Sequence, residues 1–284
     1  MTAPAWITDE ARDLFFRYDA ALPLEARVVE RPVGDGVRHL QFRVTSIRGE
    51  QVPGDLWLPP ESVPVPAVVV QHGAGAGKSD PLVVGLAERW VRQGAAVLAI
   101  DAHGHGERAT EHTAPGRTPP LPWARLTHAT QIAVDLMRAV DFLVTRPEIN
   151  SEQIGFVGFD NGAFGGVRCV ALDLRIRTAV FCNGGAAFPL PAGVDAADWG
   201  TVSALIDPRY FAPRIAPRPV LMINSRREDM MVSDQVRALF DAVGEPKEIV
   251  WYDGDRATFP GELLERMWEF LRAHLTPKQN VDRG

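Results

Sequence analysis

The chain has 284 residues and only two cysteines, Cys169 and Cys182. Two thiols exclude a disulfide scaffold and a four-cysteine metal site. Each lies in an apolar stretch, VRCVAL and AVFCNG, and reads as a buried free thiol. No apolar run approaches the roughly 18 residues of a membrane span. Like charges never run together for long, and the net charge is −6, which argues against a general phosphate-backbone binder. The N-terminal stretch MTAPAWITDEARD carries acids where a secretion signal needs an apolar core. Internal repeats and low-complexity tracts are absent. The expectation is a cytoplasmic protein with a small-molecule substrate, no nucleic-acid or membrane partner, no cofactor and no metal. Its oligomeric state is open, and a homodimer is compatible with the sequence.

What is present is alternation. A helical lead-in (1–25, with residues 5–20 helical and Thr8 as N-cap) precedes two strands, 37–47 and 51–58, joined across Arg48–Glu50. Pro53 suits an edge position. Continuous apolar runs follow at 66–71, 95–101, 154–160, 177–184, 219–224 and 247–253. Such runs fit strands covered on both faces. Helical spacing separates them, at 81–93, about 125–145 and 261–275. Strand–helix alternation implies a mostly parallel sheet with helices on both faces. One domain over 1–284 is expected, with a lid-like insertion at about 184–216 rich in Gly, Pro and aromatics. Trp199, Tyr210 and Phe211 in that insertion are candidate pocket residues. The loop 107–124 leaves the same end of the sheet, where ligands of such sheets bind.

His72-Gly-Ala-Gly-Ala-Gly-Lys78-Ser79 nearly spells a phosphate loop, but His72 replaces the first glycine of that pattern. Gly75 and Gly77 instead suit a tight turn. The informative segment is Gly155-Phe-Val-Gly158-Phe159-Asp160-Asn161-Gly162-Ala-Phe-Gly165-Gly166. A strand, a glycine-flanked turn and a helix start make the layout of a nucleophile elbow, G-x-S-x-G, with Asp160 in place of serine. Asp160 also suits a plain helix N-cap.

Further segments carry a family resemblance. Gln71-His72-Gly73 follows a buried strand, and Asp101-Ala-His103-Gly104-His105-Gly106-Glu107-Arg108 follows the next. With the elbow, the run from Asp135 through Arg146-Pro147 and the run from Phe211 to Asn224, the chain resembles α/β hydrolases of the acetyl xylan esterase and dienelactone hydrolase type over roughly residues 40–275. The resemblance implies the α/β-hydrolase fold, with a central sheet of about eight strands whose first ones are antiparallel. It places the nucleophile position at Asp160 and the acid position at Asp229. The oxyanion hole falls to the N–H of Asn161 and one near Gly73–Ala74. The histidine expected after the last strand is missing; Asp255 or Arg256 stands there. His274, far down the last helix, is a helix-end residue in this reading. His72, His103 and His105 are the remaining histidines near the elbow: His72 is a candidate catalytic or turn-ordering residue, and the other two are pocket candidates. Arg256 pairs with Asp229, Asp160 or a substrate carboxylate.

Serine, general base and orienting acid work together in the hydrolytic triad. Two of the three are lost here, and ordinary serine-esterase chemistry is not expected. The favoured expectation is a non-hydrolytic enzyme (a lyase, isomerase or cyclase) that uses Asp160 for proton transfer. One alternative is a hydrolase with Asp160 as nucleophile, similar to haloalkane dehalogenases and epoxide hydrolases, with a displaced histidine base. The other is a catalytically silent binding protein.

Overall fold

The computed structural model describes residues 4, 6–32, 34, 36–60, 63–110, 121–227, 233–254 and 259–275. Among them, nine strands form one sheet: β1 (Arg27–Pro32), β2 (Arg38–Thr45), β3 (Gln51–Leu58), β4 (Val65–Gln71), β5 (Ala96–Ile100), β6 (Ile149–Phe159), β7 (Ile176–Cys182), β8 (Val220–Ser225) and β9 (Lys247–Tyr252). Their order is β1-β2-β3-β5-β4-β6-β7-β8-β9. The strands from β1 to β3, and the contact of β3 with β5, are antiparallel; the rest are parallel. This is the arrangement that the apolar runs imply, with one strand more than the approximate count.

Seven helices are described: α1 (Asp9–Phe16), α2 (Pro81–Val91), α3 (Pro122–Val144), α4 (Asn161–Leu172), α5 (Ala196–Ile206), α6 (Ser233–Ala242) and α7 (Gly261–Leu275). Thr8 caps α1 as expected, its hydroxyl accepting the Ala11 N–H at 3.2 Å. The lead-in helix is shorter than residues 5–20 suggest. Pleat alternation sends Val69, Phe156, Ala179 and Phe181 to one face, which α3 and α4 cover. Val68, Val70, Val157 and Val180 face the other side, under α2 and α7. Burial on both faces is why these strands read as unbroken apolar runs.

Pro53 is not on an edge strand. Its strand β3 lies between β2 and β5, but pairing with β5 begins at Gly54. The missing N–H therefore costs no ladder bond on that side. The insertion at 184–216 is partly helical: it carries α5 and two short 3₁₀ turns. No helix among the described residues is long and apolar enough to cross a membrane.

Candidate functional site

Parallel strands β5, β4 and β6 lie side by side, so their C-terminal turns meet at one edge. The elbow follows β6. Asp160 has φ 49° and ψ −111°, a backbone state that non-glycine residues avoid. Its N–H donates to Cys182 O at 2.9 Å, and its carbonyl accepts from Ala163 and Phe164 as α4 begins. The flanking glycines are required by close approach. A Cβ on Gly158 would lie 2.4 Å from Gly162 O, and one on Gly162 would lie 2.5 Å from Gln71 O.

The helix-cap reading of Asp160 fails on geometry: its side chain makes no capping bond to α4. The carboxylate turns to the β4 turn instead, where Ala74 N–H donates to Oδ2 at 3.1 Å. Gly73 packs beside it, with room for a Cβ only at 3.4 Å from Asp160 Cβ. Asn161 opens α4, so its N–H has no acceptor within the helix. Asp160, Gly73, Ala74 and Asn161 are thus brought together as the elbow motif implies.

His72 orders this turn. Its Nδ1–H donates to Gly73 O at 2.8 Å, and its Nε2 accepts the Ala102 N–H at 3.1 Å. With both nitrogens bound to backbone, the imidazole links the β4 and β5 turns and does not present a base to substrate. Burial pushes its pKa down to about 4, which keeps it neutral. His105 lies next, with ring centroids 5.3 Å apart, and its Nδ1–H donates to His103 O at 3.0 Å. Burial and the Arg108 guanidinium lower the His103 pKa. Both rings meet His128 of α3, at 5.7 Å from His103 and 6.2 Å from His105. Burial pushes His128 down to about 3.

The near-phosphate loop has a different use. Lys78 is buried, and its ammonium meets Glu107 at 2.7 Å, Asp101 at 3.5 Å and Asp55 at 3.6 Å. Asp101 also accepts backbone N–H bonds from Lys78 at 2.8 Å and Glu107 at 3.0 Å. Arg108 reaches the fully buried Asp135 at 2.7 Å and Glu50 at 3.1 Å. The charged residues of Asp101–Arg108 therefore brace the cradle. A cavity of about 470 Å³ opens beside it, lined by Gly75, Lys78, Asp80 and His105 among others.

Of the lid candidates, Trp199 and Tyr210 line a second cavity of about 300 Å³ with Phe188, Ser203 and Arg209. Phe211 does not: it is fully buried and packs edge-on against Phe16 at 5.1 Å, so it belongs to the core. Asp229, Asp255 and Arg256 lie outside the described residues, as does most of the loop 107–124. The segments leading to the first three are tied together, since Ser225 Oγ donates to Gly254 O and accepts the Arg227 N–H at 2.9 Å. His274 meets Phe270 edge-on at 4.6 Å in the last turn of α7. The neighbouring Leu275 O accepts from Gln153, near the start of β6, while Asp160 follows its end. The strand length between them is about 20 Å.

Two residues escaped the motif reading, His128 and Arg168. Both lie inside helices, and no motif marks them. His128 is recognisable only after α3 packs on α4. Among the described residues, no group of three or more His, Cys, Asp or Glu is arranged to hold a metal.

No protein-family model matches the chain, and no curated protein matches it in sequence. Solved structures do. An acetyl xylan esterase from a Thermoanaerobacterium species superposes with a TM-score of 0.80 at 18% identity, covering 95% of this chain and 94% of that one. An acetyl xylan esterase from a Paenibacillus species gives 0.78 at 19% identity, with 93% and 92% covered. A cold-adapted esterase from an Arctic intertidal metagenomic library gives 0.71 at 21% identity, with 87% and 97% covered. These neighbours are esterases, which runs against the expectation of a lyase, isomerase or cyclase. Neither the dehalogenase-like alternative nor the silent binding protein draws better support from them. The strand order, the elbow after β6 and these superpositions together establish that the chain has the α/β-hydrolase fold.

Proposed function

We propose that this protein hydrolyses an ester bond in a small molecule, with the Asp160 carboxylate as the proton acceptor at the elbow. The observation that carries the reading is the 3.1 Å bond from Ala74 N–H to Asp160 Oδ2, which puts a carboxylate directly on the oxyanion turn. Water gives a proton to Asp160 as its oxygen attacks the acyl carbon. The carbonyl electrons move to oxygen, where the N–H groups of Asn161 and Ala74 receive the charge. Collapse breaks the C–O bond, and the alcohol leaves with the proton from Asp160.

Arg256 and Asp229 belong to the site in this reading on the strength of the family resemblance. We place the protein in the cytoplasm, on the strength of two buried free cysteines.

The test is turnover of short-chain acyl esters by the wild type and by Asp160→Asn. Turnover should fall roughly 10²- to 10⁴-fold in the variant, the usual share of a positioned base, with little change in melting temperature. A single turnover in ¹⁸O-water should label the product acid and leave Asp160 unlabelled. Full activity in Asp160→Asn, or label in Asp160, overturns the mechanism. A wild type inert on every ester overturns the function.

A further inference from the structure

The strands on the far side of the elbow, β7, β8 and β9, are joined at their ends by one side-chain amide. Asn183 follows β7, is 5% exposed and has φ 50°, a left-handed state that asparagine tolerates better than most residues. Its backbone neighbourhood holds the elbow. Cys182 O, one residue earlier, accepts the Asp160 N–H at 2.9 Å, and Asn183 N–H donates to Ile223 O at 2.8 Å. Its side chain reaches the two strands beyond. Oδ1 accepts the Ser225 N–H at 2.9 Å at the end of β8, and Nδ2 donates to the Tyr252 hydroxyl at 3.2 Å at the end of β9. A backbone N–H only donates, so the amide oxygen faces Ser225 and the nitrogen faces Tyr252.

Other contacts converge on the same edge. Asn224 Nδ2 donates at 3.0 Å to Gly184 O, in the residue after Asn183. Arg226 N–H donates to Tyr252 O at 2.9 Å. The Tyr252 ring packs on Phe259 at 5.3 Å, and Phe259 meets Phe159, the residue before Asp160, edge-on at 5.6 Å. One buried carboxamide thus joins the chain leaving β8 and the chain leaving β9 to the strand that anchors Asp160. By the family resemblance those two chains carry Asp229 and Arg256, four residues beyond Ser225 and Tyr252 respectively.

The position asks for a short side chain with an acceptor and a donor in one plane, on a left-handed backbone. Asparagine meets all three demands; aspartate lacks the N–H, and glycine lacks both groups. Backbone ladders already hold β7 to β8 and β8 to β9. The carboxamide adds a tie at the strand exits, past the point where the β7–β8 ladder stops at Cys182 and Ile223. We propose that Asn183 is a positioning residue, which fixes where the chains after β8 and β9 stand relative to the Asp160 carboxylate. This rests on the ester-hydrolase reading and adds a residue to that site. A misplacement of about 1 Å at reacting groups costs about 10²-fold in rate.

The experiment measures short-chain acyl ester turnover, melting and trypsin sensitivity on the wild type, Asn183→Gly, Asn183→Asp and Tyr252→Phe. Asn183→Gly keeps the left-handed backbone and removes both side-chain bonds. Assayed well below its Tm, it should lose roughly 10- to 100-fold in kcat, with KM within about twofold of wild type. A merely structural residue would lower Tm and leave the folded enzyme at wild-type kcat. Asn183→Asp keeps the acceptor for Ser225, and the Tyr252 hydroxyl can donate to it, so most of the lost kcat should return. Tyr252→Phe removes one hydroxyl and should lower kcat by roughly 3- to 10-fold, the net worth of one hydrogen bond. Trypsin gives a readout independent of turnover: cleavage after the exposed Arg226 and Arg227, just beyond Ser225, should quicken in Asn183→Gly. Wild-type kcat in folded Asn183→Gly, or in Tyr252→Phe where the glycine variant folds poorly, overturns the positioning role and leaves the hydrolase reading standing. Faster cleavage in Asn183→Gly beside a wild type inert on every ester keeps the tie and overturns the hydrolase reading.

Discussion

The turns after β4 and β5 and the insertion after β7 hold their charges in opposite ways. In the turns, Lys78 meets three carboxylates and Arg108 meets Asp135 and Glu50. Under the insertion, Arg125 and Arg168 have no ion pair among the described residues. Paired buried charges make a rigid brace, and here they hold the turn that positions Ala74 N–H. Beneath the insertion Arg125 Nε and Trp199 Nε1 are buried donors without acceptors, and no carboxylate offsets the charge of Arg125, which weakens the packing there.

The same substitution in both regions tests that contrast most severely. Arg108→Met leaves Asp135 fully buried, with only Gln131 Nε2 donating to its other oxygen at 2.7 Å. An uncompensated buried carboxylate costs about 3–5 kcal/mol. Urea titration should show that loss, with activity falling in step as the turn loosens. A stability within about 1 kcal/mol of wild type would mean that the network is decoration.

Two histidines, His72 buried and His128 half-buried, give a smaller effect that again divides the regions. His72 is depressed to about 4 and His128 to about 3, so both fold neutral. The unfolded chain takes up protons near pH 6.5, while the folded one resists. Stability therefore falls with pH from about 6.5 toward 4, by about 2 kcal/mol for each histidine at pH 5. His128→Gln should remove about half of this slope at little cost at pH 7.5, since His128 has no hydrogen bond among the described residues. His72→Gln should cost stability at every pH, because it breaks bonds to Gly73 and Ala102. Equal behaviour of the two variants would dissolve the distinction between the braced and the unbraced region.

The braced region was the more readable one. Its Lys78, Asp101, Glu107 and Arg108 lie in two short segments, 72–78 and 101–108, that follow apolar strands, and only Glu50, Asp55 and Asp135 come from elsewhere. The glycine spacing around Asp160 has a steric cause that shows in sequence, and the last helix appears at 261–275 as its spacing implies. The unbraced region draws on α3, α4 and α5, whose site residues are tens of positions apart and meet only through packing. Proline and glycine around α5 disguised a helix as irregular lid. β1 was missed because Val28 and Val29 are both exposed among charged neighbours, which erases the alternation of a half-buried strand. Phe211 was assigned to a pocket because an aromatic in a lid looks alike whether it faces substrate or core.

The smallest effect is expected from Arg125→Met, the counterpart of Arg108→Met beneath the lid. Two terms oppose each other. The guanidinium over Trp199 contributes about 0.5–1 kcal/mol of cation–π attraction, which methionine loses. Burial lowers the pKa of Arg125, and no acid offsets that penalty. Its Nε is a buried donor without a partner, and removing it recovers a similar amount. Methionine keeps most of the apolar stem, so packing on Trp199 persists. The net change should lie within about 1 kcal/mol of zero, read by urea titration beside Arg108→Met. A loss as large as that of Arg108→Met would require a carboxylate partner for Arg125. The lid would then be braced like the turns after β4 and β5, and the contrast between the two regions would be gone.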